Sequence, residues 1–477
     1  MREANHLLSL KTQGGNHYIY DSFNYNFYLT HPKLTGEINK DDYYSQKYEF
    51  IKKNLASQSG ENIAKYSTSI SEEEVILQLA NLKQLLFEVT ETCNLNCLYC
   101  GYGDFYKNEE RNHKSLSFQE IKGLIDHLAT YWNSQYCSQK NGDLQISFYG
   151  GEPLLQFPLI EKTIDYLQNN EINKNISYRI TTNGVFLNKY YKFLVKHNFH
   201  IAISLDGNEF NNSLRLTKNS KSSFQVIFDN IKRIQQEYPE FFDQKVSFQT
   251  TLHQRNSVKG IITFFQEHFN KIPSIQELVT NDIKKEKEDE FYNTLYKNKS
   301  VEINSIKEAS IKQASEEVDF NSSYYTFLEG HCENAFNNMK DLYIRKREQT
   351  RMRTGTCIPF HKKLFVTAHG KILPCERIPF SFDFGYVSKD EVRLIPSEVA
   401  AEYNRLYKSI SKQCKACKNI NGCTQCFYLC ENIGKENTKC SDIMGKKGVK
   451  HYLADTIGFF EENKAAYLNI ISNYIYE

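Results

Sequence analysis

The sequence predicts an α/β protein built on a partial (β/α)6 barrel, with a small α+β module before it and a cysteine-rich region after it. Three observations lead to this prediction. The chain has 477 residues, a length that suits about three domains. Short β-rich runs alternate with amphipathic helices from Leu85 onward, and cysteines are concentrated beyond residue 330. The predicted limits are therefore 1–84 for the first module, 85–280 for the barrel, 281–329 for a polar helical connector and 330–477 for the last region.

Charge and hydropathy exclude several classes of function. Lys and Arg (59) nearly balance Asp and Glu (57), which leaves a net charge of +2, so no nucleic-acid partner is expected. No segment approaches the ~20 consecutive apolar residues that a membrane-spanning helix needs. We therefore expect a cytoplasmic protein, in which clustered cysteines bind metal or iron–sulfur groups rather than form disulfides.

The N-terminal module is predicted from a hairpin and a capped helix. His17 to Tyr20 and Phe27 to Leu29 are short aromatic-rich runs on either side of a turn. Ser71 and Glu74 form a capping box ahead of apolar residues at helical spacing. The module is therefore a small α+β unit.

Six β-rich runs predict the strands of the barrel, and capped helices separate them. Ser117 and Glu120 cap the first connecting helix, and Pro158 opens the second. Because crossovers of this kind are almost always right-handed and active sites lie at the carboxyl ends of such strands, we look there for chemistry. The predicted strands are Leu85 to Val89, Leu144 to Tyr149, Ile176 to Thr181, His200 to Leu205, Val246 to Leu252 and, more weakly, Ser274 to Val279.

A C-x3-C-x2-C loop, formed by Cys93, Cys97 and Cys100, follows the first strand directly. Three thiolates on one loop can hold three irons of a [4Fe-4S] cluster and leave the fourth iron open for another ligand. The alternatives are a zinc loop or three buried thiols. Structural zinc usually has four protein ligands, and no fourth Cys or His lies beside this loop.

Polar or glycine-rich groups follow the next three strands as well. Paired glycines allow close approach of a backbone to a ligand, and an acidic side chain supplies charge. Taken singly, each group is also ordinary turn chemistry; taken in order, they indicate a binding edge. The groups are Gly150-Gly151-Glu152, Thr182-Asn183-Gly184 and Ser204-Leu205-Asp206-Gly207.

Over residues 85 to about 280 these motifs resemble the radical S-adenosylmethionine (SAM) enzymes. The resemblance implies that SAM chelates the open iron, and that one electron cleaves it to a 5'-deoxyadenosyl radical that abstracts hydrogen from a substrate. It also implies a flavodoxin- or ferredoxin-type electron donor. Glu152 would hold the SAM ammonium group and Arg215 its carboxylate. The full set of implied cofactor-binding residues is Tyr99, Gly150, Gly151, Glu152, Asn183, Ser204, Asp206 and Arg215.

The cysteines of the last region resemble the SPASM extension of peptide-modifying radical SAM enzymes, which binds two auxiliary [4Fe-4S] clusters. A zinc ribbon or a ferredoxin module is the alternative, although a zinc ribbon leaves several of these cysteines unused. By the resemblance one cluster takes Cys414, Cys417, Cys423 and Cys440, and the other takes Cys357, Cys375 and either Cys426 or Cys430. Three candidates remain for the fourth ligand of this second cluster: Cys332, whichever of Cys426 and Cys430 is not already used, or a substrate bound to an open iron.

Glu376 follows Cys375 directly and is the candidate general base. In relatives that oxidise a peptide side chain an acidic residue occupies this place. Arg377 is an alternative partner for this carboxylate.

The resemblance implies a peptide maturase that abstracts hydrogen from a ribosomally made precursor peptide and closes a thioether or carbon–carbon crosslink. The first module is similar to the leader-recognition domain of such maturases, where a leader adds as a strand to the hairpin; a packing extension of the barrel is the alternative. Anaerobic sulfatase maturation is the second enzymatic hypothesis, and a non-catalytic cysteine-rich binding or electron-transfer protein is the third. The precursor, the bond formed and the oligomeric state are not specified by the sequence.

Overall fold

The structure is a computed structural model. It describes residues 7–22, 25–32, 43, 46–47, 50, 66–107, 113–138, 142–170, 172–280, 283–304, 306, 324, 327–328, 330–332, 351–352, 354–420, 422–464 and 467–468. The chain divides into two compact units. The sheet unit comprises Ser71–Asp319 and Cys357–Val399, and the terminal unit comprises Met1–Ile70, Phe320–Thr356 and Ala400–Glu477. The domain limits at residues 84, 280 and 329 stay predictions.

The strands of the described residues, in chain order, are β1 (Leu7–Lys11), β2 (His17–Asp21), β3 (Asn26–Thr30), β4 (Tyr66–Ser67), β5 (Gln84–Thr90), β6 (Leu95–Cys97), β7 (Gly142–Gly150), β8 (Lys174–Thr182), β9 (His200–Ser204), β10 (Arg215–Thr217), β11 (Val246–Thr251), β12 (Ser274–Gln276), β13 (Arg351–Met352), β14 (Leu364–Val366), β15 (Lys371–Leu373), β16 (Gly385–Val387) and β17 (Val392–Arg393). The α-helices are α1 (Glu72–Ala80), α2 (Phe118–Trp132), α3 (Phe157–Asn169), α4 (Leu187–Lys196), α5 (Phe224–Glu237), α6 (Pro239–Lys245), α7 (Val258–Phe269), α8 (Glu288–Thr294), α9 (Lys299–Asn304), α10 (Pro396–Ala416) and α11 (Lys446–Glu462).

The sheet unit is built on one large sheet in which all six predicted strands are present. They stand side by side in sequence order, from β5 through β7, β8, β9 and β11 to β12, and every neighbouring pair is parallel. The α/β prediction with a parallel sheet is confirmed. The last strand ends at Gln276 rather than at Val279.

The large sheet continues beyond β5 with four strands that were not predicted. The strand β14 pairs with β5 in parallel, and β15, β16 and β17 follow as antiparallel strands. Each has two or three residues, which is too short for an alternating pattern to show in the sequence. The segment around Cys375 is therefore joined to the parallel sheet by backbone hydrogen bonds.

The helix starts follow the predicted capping boxes. The hydroxyls of Ser71 and Ser117 accept from the backbone N–H groups of Glu74 and Glu120, and each glutamate accepts from the serine N–H in return. Such a cap contributes about 0.5–2 kcal/mol, because it satisfies donors that the first helical turn leaves without partners. The second connecting helix begins at Phe157, with Pro158 in its first turn.

The two faces of the large sheet differ in polarity. Right-handed crossovers between strands in sequence order place all connecting helices on one face, and the residues of that face, such as Phe87, Phe148 and Ile180, are fully buried. The register places the alternate residues on the opposite face, which we call the inner face. Its residues on four neighbouring strands are Gln145, Ser147, Tyr149, Ser177, Arg179, Thr181, His200, Ala202, Ser204, Ser247, Gln249 and Thr251.

The terminal unit contains a three-stranded antiparallel sheet in the order β1-β2-β3. The predicted hairpin corresponds to β2 and β3, whereas β1 was not predicted, because Leu8 and Leu10 alone give too short an alternation. Leu8, Leu10 and Tyr20 pack with Val449 and Leu453 of α11 in one apolar cluster. The possible helix beyond Pro32 lies outside the described residues.

The predicted connector is described in part. Its first half contains α8 and α9, and the polar helical stretch up to about residue 318 lies almost entirely outside the described residues. Within the described part of the chain, no helix combines the length and the apolar character that crossing a membrane requires.

Candidate active site

The cysteine loop is held against the segment that follows the fourth parallel strand. Residues of β6 pair antiparallel with β10, and Cys97 lies opposite Arg215. The N–H of Leu98 donates to the carbonyl oxygen of Leu214 at 3.0 Å. Two distant predicted motifs, the cysteine loop and Arg215, are thus joined through the backbone.

The three thiols of the loop are half-buried and influence one another. Burial raises the pKa of Cys97 to about 12, although the neighbouring Arg215 opposes this effect. Burial also raises the pKa of Cys93, and the nearby Cys100 contributes to that increase. A bound metal centre would stabilise the thiolate forms that burial disfavours, so this donor set fits an iron–sulfur cluster.

A four-iron cluster takes each of its cysteines on a different iron, so the three thiols need not converge on one point. Among the described residues, no three His, Cys, Asp or Glu side chains converge closely enough to hold a single metal ion.

The paired glycines at the end of β7 allow the backbone that leads into the cysteine loop to lie directly against them. A Cβ atom at Gly150, whose φ is +135°, would lie 2.2 Å from the carbonyl oxygen of Thr90. At Gly151 it would lie 2.4 Å from the carbonyl oxygen of Thr92. Since real Cβ atoms do not approach oxygen so closely, both positions require glycine for protein packing alone. Their predicted contact with a cofactor stays a prediction.

Glu152 is fully buried and joins the ends of β7 and β8. Its carboxylate accepts from the N–H of Leu154 at 3.0 Å, the hydroxyl of Thr182 at 2.8 Å and the N–H of Asn183 at 2.7 Å. Burial raises the pKa of Glu152 to about 7, although these three donors act in the opposite direction. In this structure the carboxylate therefore fixes two strand ends relative to each other, and its role toward a SAM ammonium group stays a prediction.

Asn183 connects the third strand end to the cysteine loop. Its side-chain amide donates to the Oδ1 of Asn94 at 2.8 Å and lies 3.6 Å from the Sγ of Cys93. This N–H group can help to orient a thiolate at Cys93.

Asp206, after the fourth strand, is the centre of a buried polar cluster. The carboxylate accepts from Nε of Arg215 at 3.0 Å, from the hydroxyl of Tyr99 and from the N–H of Thr251 at 3.0 Å. Burial alone would raise the pKa of Asp206, but Arg215 and then His253 lower it below its usual value. Tyr99, Asp206 and Arg215 are thus three predicted residues that the fold brings together.

His253, beyond the fifth strand, belongs to the same cluster and was not predicted. Its Nε2 lies 3.6 Å from Asp206, and its ring stacks on Tyr99 with 5.5 Å between the centroids. A histidine directly after the predicted end of a strand was the available sequence signal. Ser204, also predicted, is the last residue of β9 and lies opposite Gln249.

Residues 87–256 match the radical SAM superfamily. The chain carries a radical SAM domain. This family uses SAM and a [4Fe-4S] cluster, which agrees with the cofactors that the cysteine loop predicts. The match includes the cysteine loop and the cluster around Asp206 together with His253.

Two curated relatives match parts of the chain. A cysteine-type anaerobic sulfatase-maturating enzyme from Clostridium novyi is 34% identical over 160 residues, which cover 32% of this chain and 40% of the relative. The radical SAM cyclopropyl synthase TigE from Paramaledivibacter caminithermalis is 29% identical over 161 residues, covering 31% of this chain and 33% of the relative. The chain thus spans less than half the length of either relative.

The fold is also similar to a solved structure, native anSMEcpe with bound AdoMet and Cp18Cys peptide. The two share 18% identity and a TM-score of 0.52 over 82% of this chain and 99% of that chain. At this level of identity the likeness concerns the fold, and it extends well beyond the radical SAM domain into the cysteine-rich region.

Two further acidic residues connect β5 of the radical SAM domain to the turn after β14, and neither was predicted. Glu88 accepts from the hydroxyl of Tyr102 and from the N–H of Ala368 at 2.9 Å. Glu91 lies 3.1 Å from Nε2 of His369. Because β14 is parallel to β5, this turn lies at the same sheet edge as the cysteine loop.

Glu376 lies at the other end of these strands. Its Oε1 accepts from Nζ of Lys363 at 3.0 Å, and Lys363 directly precedes β14, whose Leu364 pairs with Leu85 near the start of β5. At ~3.3 Å per residue, the seven residues of β5 span ~20 Å. The structure therefore does not bring Glu376 next to the cysteine loop.

Lys363 is also the nearer cation for Glu376, since Arg377 lies 4.0 Å away. Burial alone would raise the pKa of Glu376, but Lys363 lowers it below its usual value. The side chain is thus a carboxylate at neutral pH, as a proton acceptor must be.

Four of the predicted auxiliary ligands gather in the terminal unit. Burial raises the pKa of Cys414 to about 12, and Cys423, Cys440 and Cys417 raise it further. Because such effects require short distances between the groups, the structure brings together the set that the SPASM resemblance assigns to one cluster.

Cys430 lies in the same group, because burial and a hydrogen bond to Cys440 raise its pKa to about 12. Of the remaining predicted ligands, Cys426 also lies in the terminal unit, whereas Cys357 and Cys375 lie in the sheet unit. The ligand roles of all these cysteines stay predictions.

Proposed function

We propose that this chain is a radical SAM enzyme that modifies a peptide substrate. The observation that carries the proposal is the convergence of four successive strand ends at one edge of the parallel sheet. Hydrogen bonds connect the cysteine loop to Asn183, Glu152 to the same strand end, and Asp206 to Arg215. A turn-forming role alone would not require these buried polar side chains to meet.

In this proposal Cys93, Cys97 and Cys100 hold the [4Fe-4S] cluster. When bound, the cluster supplies the electron that cleaves SAM and so begins the abstraction of hydrogen from the substrate. Arg215 binds the SAM carboxylate through its terminal guanidinium nitrogens, because its Nε is already held by Asp206. Tyr99 and His253 exclude water from the ion pair between Asp206 and Arg215, which strengthens that pair.

A peptide substrate is supported by the polarity of the inner face. The edge of the sheet that carries the cysteine loop is here called the cofactor edge. Between this edge and the amino ends of the strands, half-buried hydroxyl, amide and basic side chains line the inner face, where they can bind the main chain and side chains of a peptide. We assign the peptide to a ribosomally made precursor that receives a thioether or carbon–carbon crosslink.

Glu376 serves as the proton acceptor in this proposal. Its carboxylate is kept ionised by Lys363 and lies toward the amino edge of β5 and β14. Because a base must lie within hydrogen-bond reach of the proton that it accepts, Glu376 takes a proton only from a substrate group that reaches this end of the strands. We assign the auxiliary cysteines to clusters that accept the remaining electron, and we assign a flavodoxin or ferredoxin as the donor to the first cluster.

The test uses enzyme reconstituted with iron and sulfide under anaerobic conditions, reduced with dithionite and supplied with SAM. The substrate is a small peptide encoded next to the gene. We expect 5'-deoxyadenosine, and a peptide product lighter by two hydrogen atoms. The variant in which all three loop cysteines are replaced by alanine should give neither, while it retains the iron of the other sites.

Formation of 5'-deoxyadenosine without any change in the peptide would contradict the peptide-modifying role. The sulfatase-maturating activity is the second candidate, because a relative of that name is 34% identical over 160 residues. A sulfatase-derived peptide therefore belongs in the same assay, and oxidation of its Cys or Ser in place of the neighbouring peptide would favour that second function.

A further inference from the structure

Three basic side chains meet on the inner face, some distance from the cofactor edge. Arg179 of β8 lies opposite His200 of β9 in the parallel register. Nζ of Lys245, the last residue of α6, lies 3.3 Å from Nε2 of His200. We call Arg179, His200 and Lys245 the basic triad.

The basic triad has no acidic partner among the described residues. No carboxylate of a described residue lies within 4.0 Å of the basic nitrogens of Arg179, His200 or Lys245. Asp143 of β7 shares the inner face, but it precedes Ser147, the register partner of Arg179, by four residues, which is ~13 Å along a strand. It is also engaged by the amide of Asn175 at 2.6 Å.

The surroundings of the triad are unfavourable for its charges. Burial lowers the pKa of Arg179, since no nearby carboxylate compensates for the loss of water. Burial, Lys245 and Arg179 together lower the pKa of His200. A half-buried arginine without a partner is costly for the protein alone, and an anionic ligand would relieve that cost.

The distance of the basic triad from the cofactor edge suits contact with a substrate rather than with the cofactor. Arg179 precedes Asn183, the first residue after β8, by four residues, so it lies ~13 Å from the edge that carries the cysteine loop. A peptide residue placed at the cofactor edge has neighbours at this distance, since an extended chain advances ~3.3 Å per residue. An arginine guanidinium presents paired donors that match the two oxygens of a carboxylate.

We propose that the basic triad is a specificity site that binds a carboxylate of the peptide substrate, from an Asp or Glu side chain or from the C-terminus. The inference rests on the proposed function, because it names the substrate class of the same site. In it Arg179 contacts the carboxylate directly, Lys245 supplies further positive charge, and the neutral ring of His200 holds Nζ of Lys245 at 3.3 Å. The enzyme would thus select acidic peptides, or peptides that end near the modified residue.

The test is an affinity selection of synthetic random peptides, identified by mass spectrometry, on the reconstituted, SAM-loaded enzyme under anaerobic conditions. Two libraries separate the carboxylate sources: one has Asp and Glu among its residues and an amidated C-terminus, and the other lacks both but carries a free C-terminus next to the random segment. We expect about tenfold enrichment of one carboxylate type at a fixed position with the wild type, since one charge-assisted contact has about that effect on affinity. Arg179→Gln should lose the enrichment, and Arg179→Lys should keep part of it.

The matched control is Arg233→Gln, which removes an exposed arginine on α5 and should enrich the same peptides as the wild type. All variants should hold wild-type iron and give the wild-type circular dichroism spectrum, which shows that they are folded. Enrichment without acidic preference, no enrichment at all, or equal preference in Arg179→Gln would each overturn the inference.

The selection also distinguishes failure of this inference from failure of the proposed function. The selected acidic peptides are incubated with the enzyme, SAM and dithionite, and their masses are measured by mass spectrometry. Binding that depends on Arg179 without any mass change would leave the specificity site standing and contradict the peptide-modifying role. Modification of peptides that show no acidic preference would support the peptide-modifying role and contradict the specificity site.

Discussion

Replacement of Asp206 by Asn removes one negative charge from the buried cluster and keeps the shape of the side chain. Asp206 is fully buried and Arg215 is 8% exposed, and the atom that changes, Oδ2, is the one that accepts from Arg215 at 3.0 Å. In the variant an amide N–H group placed there would face the Nε–H group of the arginine. The guanidinium is then left buried without a counter-charge.

The size of the effect follows from this burial. Removing one partner of a buried ion pair costs about 3–5 kcal/mol, because the other charge stays out of water and without compensation. A unit of this size loses about 2–4 °C of melting temperature per kcal/mol. We therefore expect the melting temperature of the reconstituted protein to fall by about 6–20 °C, and SAM cleavage to fall with it.

The measurement is anaerobic thermal unfolding followed by circular dichroism. Asp104→Asn is the matched control, because Asp104 also pairs with a lysine, Lys284 at 3.3 Å, but is exposed to solvent, so that its variant should melt with the wild type. The double variant Asp206→Asn/Arg215→Gln should be more stable than Asp206→Asn alone, since it buries no uncompensated charge. A single variant that melts with the wild type, or a double variant that shows the sum of both losses, would refute this account of the cluster.

Three other changes test the rest of the site. Gly151→Ala should destabilise the protein by about 1–3 kcal/mol and abolish SAM cleavage, because its Cβ would meet the loop backbone at 2.4 Å; wild-type cleavage would contradict the close approach. Cys430→Ser should lower the iron content by one cluster, since this thiol lies beside Cys440, whereas Cys137→Ser should leave it unchanged; equal iron in both would remove Cys430 from the ligands. Glu376→Gln should leave SAM cleavage intact and reduce peptide product about 100-fold, and undiminished product would exclude Glu376 as the base.

The strands and their order could be predicted because an amphipathic helical segment separates each β-rich run from the next. Sequential parallel strands need no information about distant pairing, since right-handed crossovers place each strand beside the previous one. The capping boxes at Ser71 and Ser117 could also be predicted, because both hydrogen-bonding partners lie within one helical turn. The strand-end motifs could be ordered along the chain on this basis alone.

The partners of the predicted site residues could not be predicted, because they depend on contacts between distant segments. Arg215 was expected to face a cofactor carboxylate, and the sequence gives no sign that Asp206 would bind it or that His253 would contact Asp206. Glu376 was expected near the chemistry because it follows Cys375. Only the antiparallel turn between β14 and β15 shows that it lies toward the amino edge of the sheet.

The inner face shows most clearly where sequence information ends. Ser177, Arg179 and Thr181 alternate with buried residues in β8, a pattern that one strand with a solvated face also gives. Only the register with the neighbouring strands places Arg179 beside His200 below the cofactor edge. Residues at the strand ends would then determine cofactor chemistry, and residues along the inner face would determine which peptide is accepted. Exchanging inner-face residues should therefore change the substrate and leave SAM cleavage intact, whereas changes at the strand ends should abolish both.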